Sequence, residues 1–477
     1  MSGAEEVRFS MKVMINKEKT KVLLAVVDNN LADILLSFLT LPVGVILRLL
    51  KKQYEDEAPV IGSFNTLRNG LENLDSVHFS TVAAKLMLLN PRSSLDVECS
   101  KLKLNIDDTQ PIKYFTCENM DCDWARPVNV YYEGIRRCYC KKLTNREIYV
   151  KYSSDNSQVP ADGEVFTVKS VSFIVSDDLR ILANVTGSII QSLNNMGITD
   201  TDGAELRTVT VGYNEIMDLF KGSLLSNSPL TDLIIQERRI EKSEPLYSHL
   251  PDMEKVANSS SSRKMVVKAM LQKSTKKLLF VQSEEDFVDF LFSFLTIPLG
   301  QVECLLGGKT GLGSIDNLYR SVANMSGDKY FNTRDTKDML LKPKLPPKFL
   351  SKNQIFSLTE EQKSQSFTKV KEKNMDYLSP SNSGMVAVYD PKGDGSYVKG
   401  PGLFMVTDDL TVTPLCILSS LLTLKELNIP LSDVEELELD IGLEEGLSIL
   451  KASLTSTYAL TNGLINPILM KQPKKEH

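Results

Sequence analysis

Two short apolar stretches joined by a polar turn, then a helix with almost no polar side, then a proline: the chain presents this order twice. MKVMIN and KVLLAVVD flank KEKT in the first occurrence, and VKAMLQ and KLLFVQ flank KSTK in the second. Each pair predicts a β-hairpin. The helix that follows, from about Asn30 or Asp286, carries Leu31, Ile34, Leu35, Leu36, Phe38 and Leu39 in its first occurrence. Residues so distributed leave little surface for water, which predicts a buried helix. Pro42 and Pro298 end it, because proline excludes the helical conformation from the residue before it and can itself open the next helix. The predicted motif is a helix, a corner and a second helix. Its sequence, SFLTLPVG at 37–44, returns as SFLTIPLG at 293–300, and residues 11–50 align with 267–306 without a gap. Ser, Phe, Leu, Thr and Pro offer no obvious catalytic chemistry, so a corner of the core is the simplest reading of the repeat.

The correspondence continues at shifted spacing. Gly62 to Leu67 answers Gly313 to Leu318 on a helical pattern, MLLNP at 87–91 answers MLLKP at 339–343, and FIVSDDL at 173–179 answers FMVTDDL at 404–410. Strands ELRTVTVG and ELELDIG then lead into helices in which Lys221, Ser223 and Leu224 recur as Lys451, Ser453 and Leu454. The expectation is a tandem duplication of class α+β (mixed α/β). Each copy is read as a hairpin-plus-helices lobe followed by a strand-helix-strand-helix lobe. The first copy is placed at 9–236 and the second at 264–466, with a charged and Ser-rich linker at 237–263 and a basic tail at 467–477. Residues 351–383, rich in Lys, Glu, Ser and Gln, are read as a long exposed insertion of the second copy.

At 477 residues the chain exceeds the usual limit of one core, in agreement with two copies. A formal charge of −6 gives no broad positive field for phosphates, which disfavours nucleic acid as a partner. Residues 31–50 have the length of a membrane span but contain Asp33, Pro42 and Arg48, and the matching segment contains Asp289, Pro298 and Glu303. A charge inside both segments argues for buried helices in place of spans. The N-terminus has two early acidic residues and no apolar core segment, so a cytoplasmic location, with a nuclear one as the alternative, is expected.

Four of the seven cysteines, Cys117, Cys122, Cys138 and Cys140, lie close together at 114–150, in what reads as a small β-ribbon inserted in the first copy. Four thiolates can close a tetrahedral zinc site when each pair comes from a tight turn. The spacing Cys117-x4-Cys122 suits this, while Cys138-x-Cys140 is tighter than usual. In a reducing compartment the alternatives are zinc and plain thiols, and zinc held there by four protein ligands would be structural. Trp124, Tyr131, Tyr132 and Tyr139 in the same stretch could anchor a partner or pack over the ribbon; Arg136, Arg137, Lys141 and Lys142 form a local basic run. The GGKTG at 307–311 resembles a phosphate loop, but position 303 is Glu where that loop needs Gly, and a helix precedes it, so it is read as a plain loop. The pairs Asp177-Asp178 and Asp408-Asp409 follow strands, where ligands often bind, yet Asp is also what a turn prefers. His78, His249 and His477 have no counterparts in the other copy, and Cys99, Cys304 and Cys416 carry no nucleophile motif.

With the hairpins, SFLTLPVG, SFLTIPLG, the YFTC…C…CYC segment and FMVTDDL in view, the chain resembles a plant family catalogued as domain of unknown function 674, from about Met11 to about Leu464. The resemblance implies a plant source and a recurring two-part domain, and no established activity, substrate or catalytic residue. The expectation is therefore an uncharacterised soluble protein: a non-enzymatic interaction or regulatory module with a protein partner, braced by a structural zinc ribbon. The alternative is an enzyme or small-molecule binder that uses Asp177, Asp178, Asp408 and Asp409.

Overall fold

The computed structural model describes residues 7–109, 113–119, 129–130, 140–151, 165–184, 193–194, 198, 201–235, 264–361, 366–372, 375–381 and 386–471. The linker predicted at 237–263 and most of the basic tail lie outside them.

In strand Phe9–Ile15, Phe9, Met11, Val13 and Ile15 are buried while Ser10 and Lys12 face water, the alternation a half-buried strand requires. It pairs antiparallel with Val22–Val27 on one side and with Glu205–Val211 on the other. Strands Phe173–Ser176 and Ile181–Ala183 complete a five-stranded antiparallel sheet beyond Val22–Val27. The second half repeats the arrangement: Val412–Pro414, Leu403–Val406, Leu278–Glu284, Met265–Gln272 and Val434–Ile441 lie in corresponding order. The two-lobe reading is corrected here. The hairpin and the later strands belong to one sheet, because a hairpin leaves two unpaired edges and the later strands cover both.

Helices Asn29–Ser37 and Glu285–Ser293 follow the hairpins, each ending in a turn of 3-10 helix, Phe38–Thr40 and Phe294–Thr296. Ser37 and Ser293 donate to the carbonyls of Ile34 and Phe290, and Thr40 and Thr296 donate to those of Ser37 and Ser293. The hydroxyls of the repeated motif thus satisfy helix-end carbonyls that burial would otherwise leave unpaired. After Pro42 and Pro298 the chain re-enters helices Val43–Tyr54 and Leu299–Leu305.

These two corners meet. Pro42 and Pro298 face each other antiparallel; the Val43 N–H donates to the Ile297 carbonyl at 3.1 Å, and the Leu299 N–H donates to the Leu41 carbonyl at 2.9 Å. Each bond is the other's equivalent with the halves exchanged, the signature of a two-fold contact. Gly44 and Gly300 make the approach possible. A Cβ on Gly44 would come within 2.8 Å of Pro91 and 2.9 Å of the Leu295 carbonyl, and one on Gly300 would run into the Leu340 carbonyl.

The exchange extends outward. The Ser63 N–H and hydroxyl, at the start of helix Phe64–Asn73, donate to the carbonyls of Ser453 and Ser456 in the second half. Ser314, at the start of helix Gly313–Asn324, donates to the Ser226 carbonyl in the first. Each of these helices thus bonds to the opposite half, and one continuous apolar core holds both sheets' inner faces.

A six-stranded sheet adds a further joint. It runs Val386–Ala387, Ser366–Glu372, Met375–Pro380, Arg146–Val150, Tyr114–Thr116, Asn129–Val130, and the halves join where Tyr377 and Leu378 pair in parallel with Tyr149 and Val150. Ile148, Phe367 and Leu378 form its small core. The reading of 351–383 as exposed is therefore corrected for much of its length. Ser351, Asn353, Phe356 and Leu358 are buried as well, and the Phe356 ring lies 5.1 Å from Phe290 and 5.8 Å from Phe294. Polar composition misled because buried polar groups there are paired: Ser351 donates to Asp289.

Candidate functional site

The interior aspartates of the two apolar helices act as clasps. Asp33 accepts from the N–H groups of Val165, Phe166 and Thr167 at 2.9 to 3.1 Å and from the Thr167 hydroxyl at 2.7 Å. Asp289 accepts from the N–H groups of Tyr397 at 2.5 Å and Val398 at 2.8 Å, and from Ser351. Burial pushes the Asp33 carboxyl up to about 6 against these hydrogen bonds, and it raises Asp289 in the same direction. The clasped segments then pair with the opposite half: Asn332 N–H to Phe166 carbonyl at 3.0 Å, and Ser80 N–H to Tyr397 carbonyl at 2.8 Å.

The two Asp pairs form turns. In each, a left-handed leucine, Leu179 or Leu410, closes the loop with its N–H on the carbonyl of Ser176 or Thr407. Asp177 accepts from the N–H and hydroxyl of Thr231, both at 2.8 Å, and Asp408 accepts from the N–H and hydroxyl of Thr461 at 2.7 and 2.6 Å. Desolvation holds Asp177 up at about 6 despite these bonds. Asp178 accepts from Ser176 at 2.5 Å and from Asn317 at 3.0 Å; Asp409 accepts from Thr407 at 2.5 Å, and its carbonyl accepts from Thr66. Asn317 and Thr66 again come from the opposite half. The Asp177, Asp178 and Asp408 carboxylates hold helices to turns, while the Asp409 carboxylate bonds within its own turn.

Two of the four candidate zinc ligands are described. Cys117 follows strand Tyr114–Thr116 and is buried; Cys140 precedes the left-handed Lys141 and is exposed. Their sulfurs are 3.3 Å apart. Ligands at ~2.3 Å in a tetrahedron stand ~3.8 Å from each other, and a disulfide would need ~2.05 Å, so the pair is spaced as two thiols in direct contact. Cys122 and Cys138 lie outside the described residues, as do Trp124, Tyr131, Tyr132, Tyr139, Arg136 and Arg137. Among the described residues no three His, Cys, Asp or Glu side chains gather as a metal-holding group.

The GGKTG loop encloses an acid pair. The Thr310 N–H and hydroxyl donate to Asp316 Oδ1 at 3.0 and 2.5 Å, the same hydroxyl stands 3.0 Å from Glu303 Oε1, and the Gly311 N–H reaches Asp316 Oδ2 at 3.4 Å. Donors that a phosphate loop would turn toward a ligand are here spent on an internal carboxylate. Glu303 is fully buried, and desolvation together with the Asp316 carboxylate holds it protonated well above its ordinary range. The first half has Leu47 and Asn65 at the corresponding positions.

A different kind of surface lies on the outer face of the second sheet. Cys416 caps helix Ile417–Glu426, with the Ser419 N–H on its sulfur at 3.3 Å. Leu424 alone in the helix is buried, against Leu279, Phe280 and Met405. Ile417 is 84% exposed, Leu418 65%, Leu421 43% and Leu422 49%, and Leu427 and Leu431 beyond the helix are exposed too. Sequence reading placed a helix here without a site. The available signal was apolar residues at 417, 418, 421, 422 and 424, more than the single stripe one sheet can cover.

Among the described residues no helix is long and apolar enough to cross a membrane. A family model described as "Protein of unknown function (DUF674)" matches residues 5–444 of the chain. No curated protein and no solved structure matches it.

Proposed function

Since the chain belongs to the DUF674 family of proteins of unknown function, we propose its role from the geometry: a non-enzymatic interaction module in which two duplicated halves form a rigid frame that presents an apolar docking face. The observation that carries this reading is helix Ile417–Glu426, which spends one leucine on its own sheet and leaves four large apolar side chains in water. Contiguous exposed apolar surface of this kind marks interaction sites in folded proteins. The engagement of Asp177 and Asp408 in turn-to-helix ties, and of the Asp409 carboxylate within its turn, supports the non-enzymatic side of the reading. A photoreactive residue at position 422 tests it in an extract of the source cells. Cross-linked species that vanish in the variant Ile417→Glu/Leu421→Glu support the docking face; cross-links indifferent to that change end it.

The corresponding sheet orders and reciprocal bonds support a tandem duplication as the origin of the frame. A structural zinc at Cys117, Cys122, Cys138 and Cys140 would brace the six-stranded sheet at the end of strand Tyr114–Thr116, and the proximity of Cys117 and Cys140 suits that donor set. Elemental mass spectrometry of the untagged protein should find about one zinc per chain, lost with a fall in stability in Cys138→Ser. Metal-free protein as stable as its Cys138→Ser variant would make these ordinary thiols.

A further inference from the structure

We infer that the occupant of the helix 417–426 face is a second copy of this chain, in an antiparallel helix pair about a two-fold axis near Ser419 and Ser420. The inference rests on the docking reading above and names its partner. Three features of the face point to a copy of itself.

The first is shape. Ile417 and Leu421 form one row at i, i+4 spacing, and Leu418 and Leu422 form a second beside it. Two parallel rows centred near Ser419 and Ser420 can lie against themselves after a half-turn, each row entering the groove of the other.

The second is charge. The centre of the face carries no ionisable side chain, and its margin is balanced: Lys425 beside Glu426 on the helix, and Lys273 near Asp433, where the Lys273 ammonium bonds the Ser432 carbonyl at 3.0 Å. A self-contact meets no like-charge repulsion there. A strongly acidic or basic protein would find nothing complementary. An anionic membrane surface would want the several Lys and Arg that interfacial helices carry on their polar side, and this helix has Lys425 alone.

The third is area. Ile417, Leu418, Leu421 and Leu422 leave about 450 Å² open, so two copies facing each other would bury roughly 900 Å², the size of a weak, transient interface. A partner that does not bring an equal apolar face would leave part of this surface wet. The expected association is correspondingly modest, with dissociation on the order of micromolar.

The test is light scattering coupled to size exclusion on the full chain, from about 1 to 100 µM, a range that brackets such a constant. The expected result is a mass rising toward twice the 53.3 kDa of one chain. Leu421→Glu and Leu421→Lys, at a half-exposed position where folding is not at stake, should each remain at one chain mass with an unchanged melting temperature. Mixed together, they should recover the double mass, because the introduced charges then oppose across the axis. Wild-type protein that stays at one chain mass throughout overturns the dimer while leaving the docking face to the cross-linking at position 422, so the two readings fail separately. A dimer that persists in both variants lies on another face and also overturns it.

Discussion

The two halves repeat each other at the two-fold corner joint and in the clasps and turns around it, and they differ elsewhere, even in the six-stranded sheet that also joins them. Pro42 and Pro298, Gly44 and Gly300, Asp33 and Asp289, and the Thr231 and Thr461 ties repeat position for position, and each serves the joint between halves or the seating of a helix on its turn. Away from those places the halves part. The acid pair Glu303 and Asp316 stands where the first half has Leu47 and Asn65, and the cysteine segment of the first half lies beside strands of the second that contain no cysteine. A two-fold joint ties both of its surfaces to one another, so a change on either side must suit its counterpart. Positions off the axis carry no such demand, and there each half could acquire features of its own.

The strongest way to break this comparison is at the clasps. Asp33→Ala strands three N–H groups and a hydroxyl, and Asp289→Ala strands two N–H groups and a hydroxyl, all within the core. Each should lose about 3 kcal/mol or more in urea denaturation, since a buried donor without a partner carries its full desolvation penalty. A large loss in one and none in the other would show that the halves are not mechanically equivalent.

The corner glycines should give the next effect. Gly44→Ala and Gly300→Ala force a methyl against Pro91 and the Leu295 carbonyl, or against the Leu340 carbonyl. About 2 kcal/mol of destabilisation is expected for each. A neutral result at either would mean that the halves can separate locally at the corner without cost.

The smallest effect should appear where the halves differ. The Glu303 carboxyl titrates higher in the folded chain than its ordinary 4.5, so the folded state holds a proton that the unfolded state has released. Its contribution to stability is present in acid and is lost as pH rises from that value through the raised one, at up to about 1.4 kcal/mol per pH unit. Asp33 and Asp177, both lifted to about 6 from 3.8, add to the same fall between those values. Glu303→Gln should remove its share of that fall and raise stability at neutral pH. An unchanged profile would show that the acid pair does not titrate with folding.

Sequence by itself determined the repeat, the hairpins, the buried helices with their proline corners, and the Asp turns, because each follows from local rules: period two in strands, an all-apolar helix, proline's fixed backbone, aspartate's fit to a turn. Tertiary structure alone decided what those pieces do to one another. That hairpin and later strands share a sheet, that the two SFLT corners bond reciprocally, and that Asp33 holds residues 165–167 depend on groups far apart in the chain. So does the fate of residues 351–358, whose polar composition suggested exposure until Asp289 supplied the buried partner for Ser351. The apolar surplus of helix 417–426 was written in the chain. How much of it the second sheet leaves uncovered is a matter of area, and only the packed structure, in which Leu424 alone turns inward, settles that.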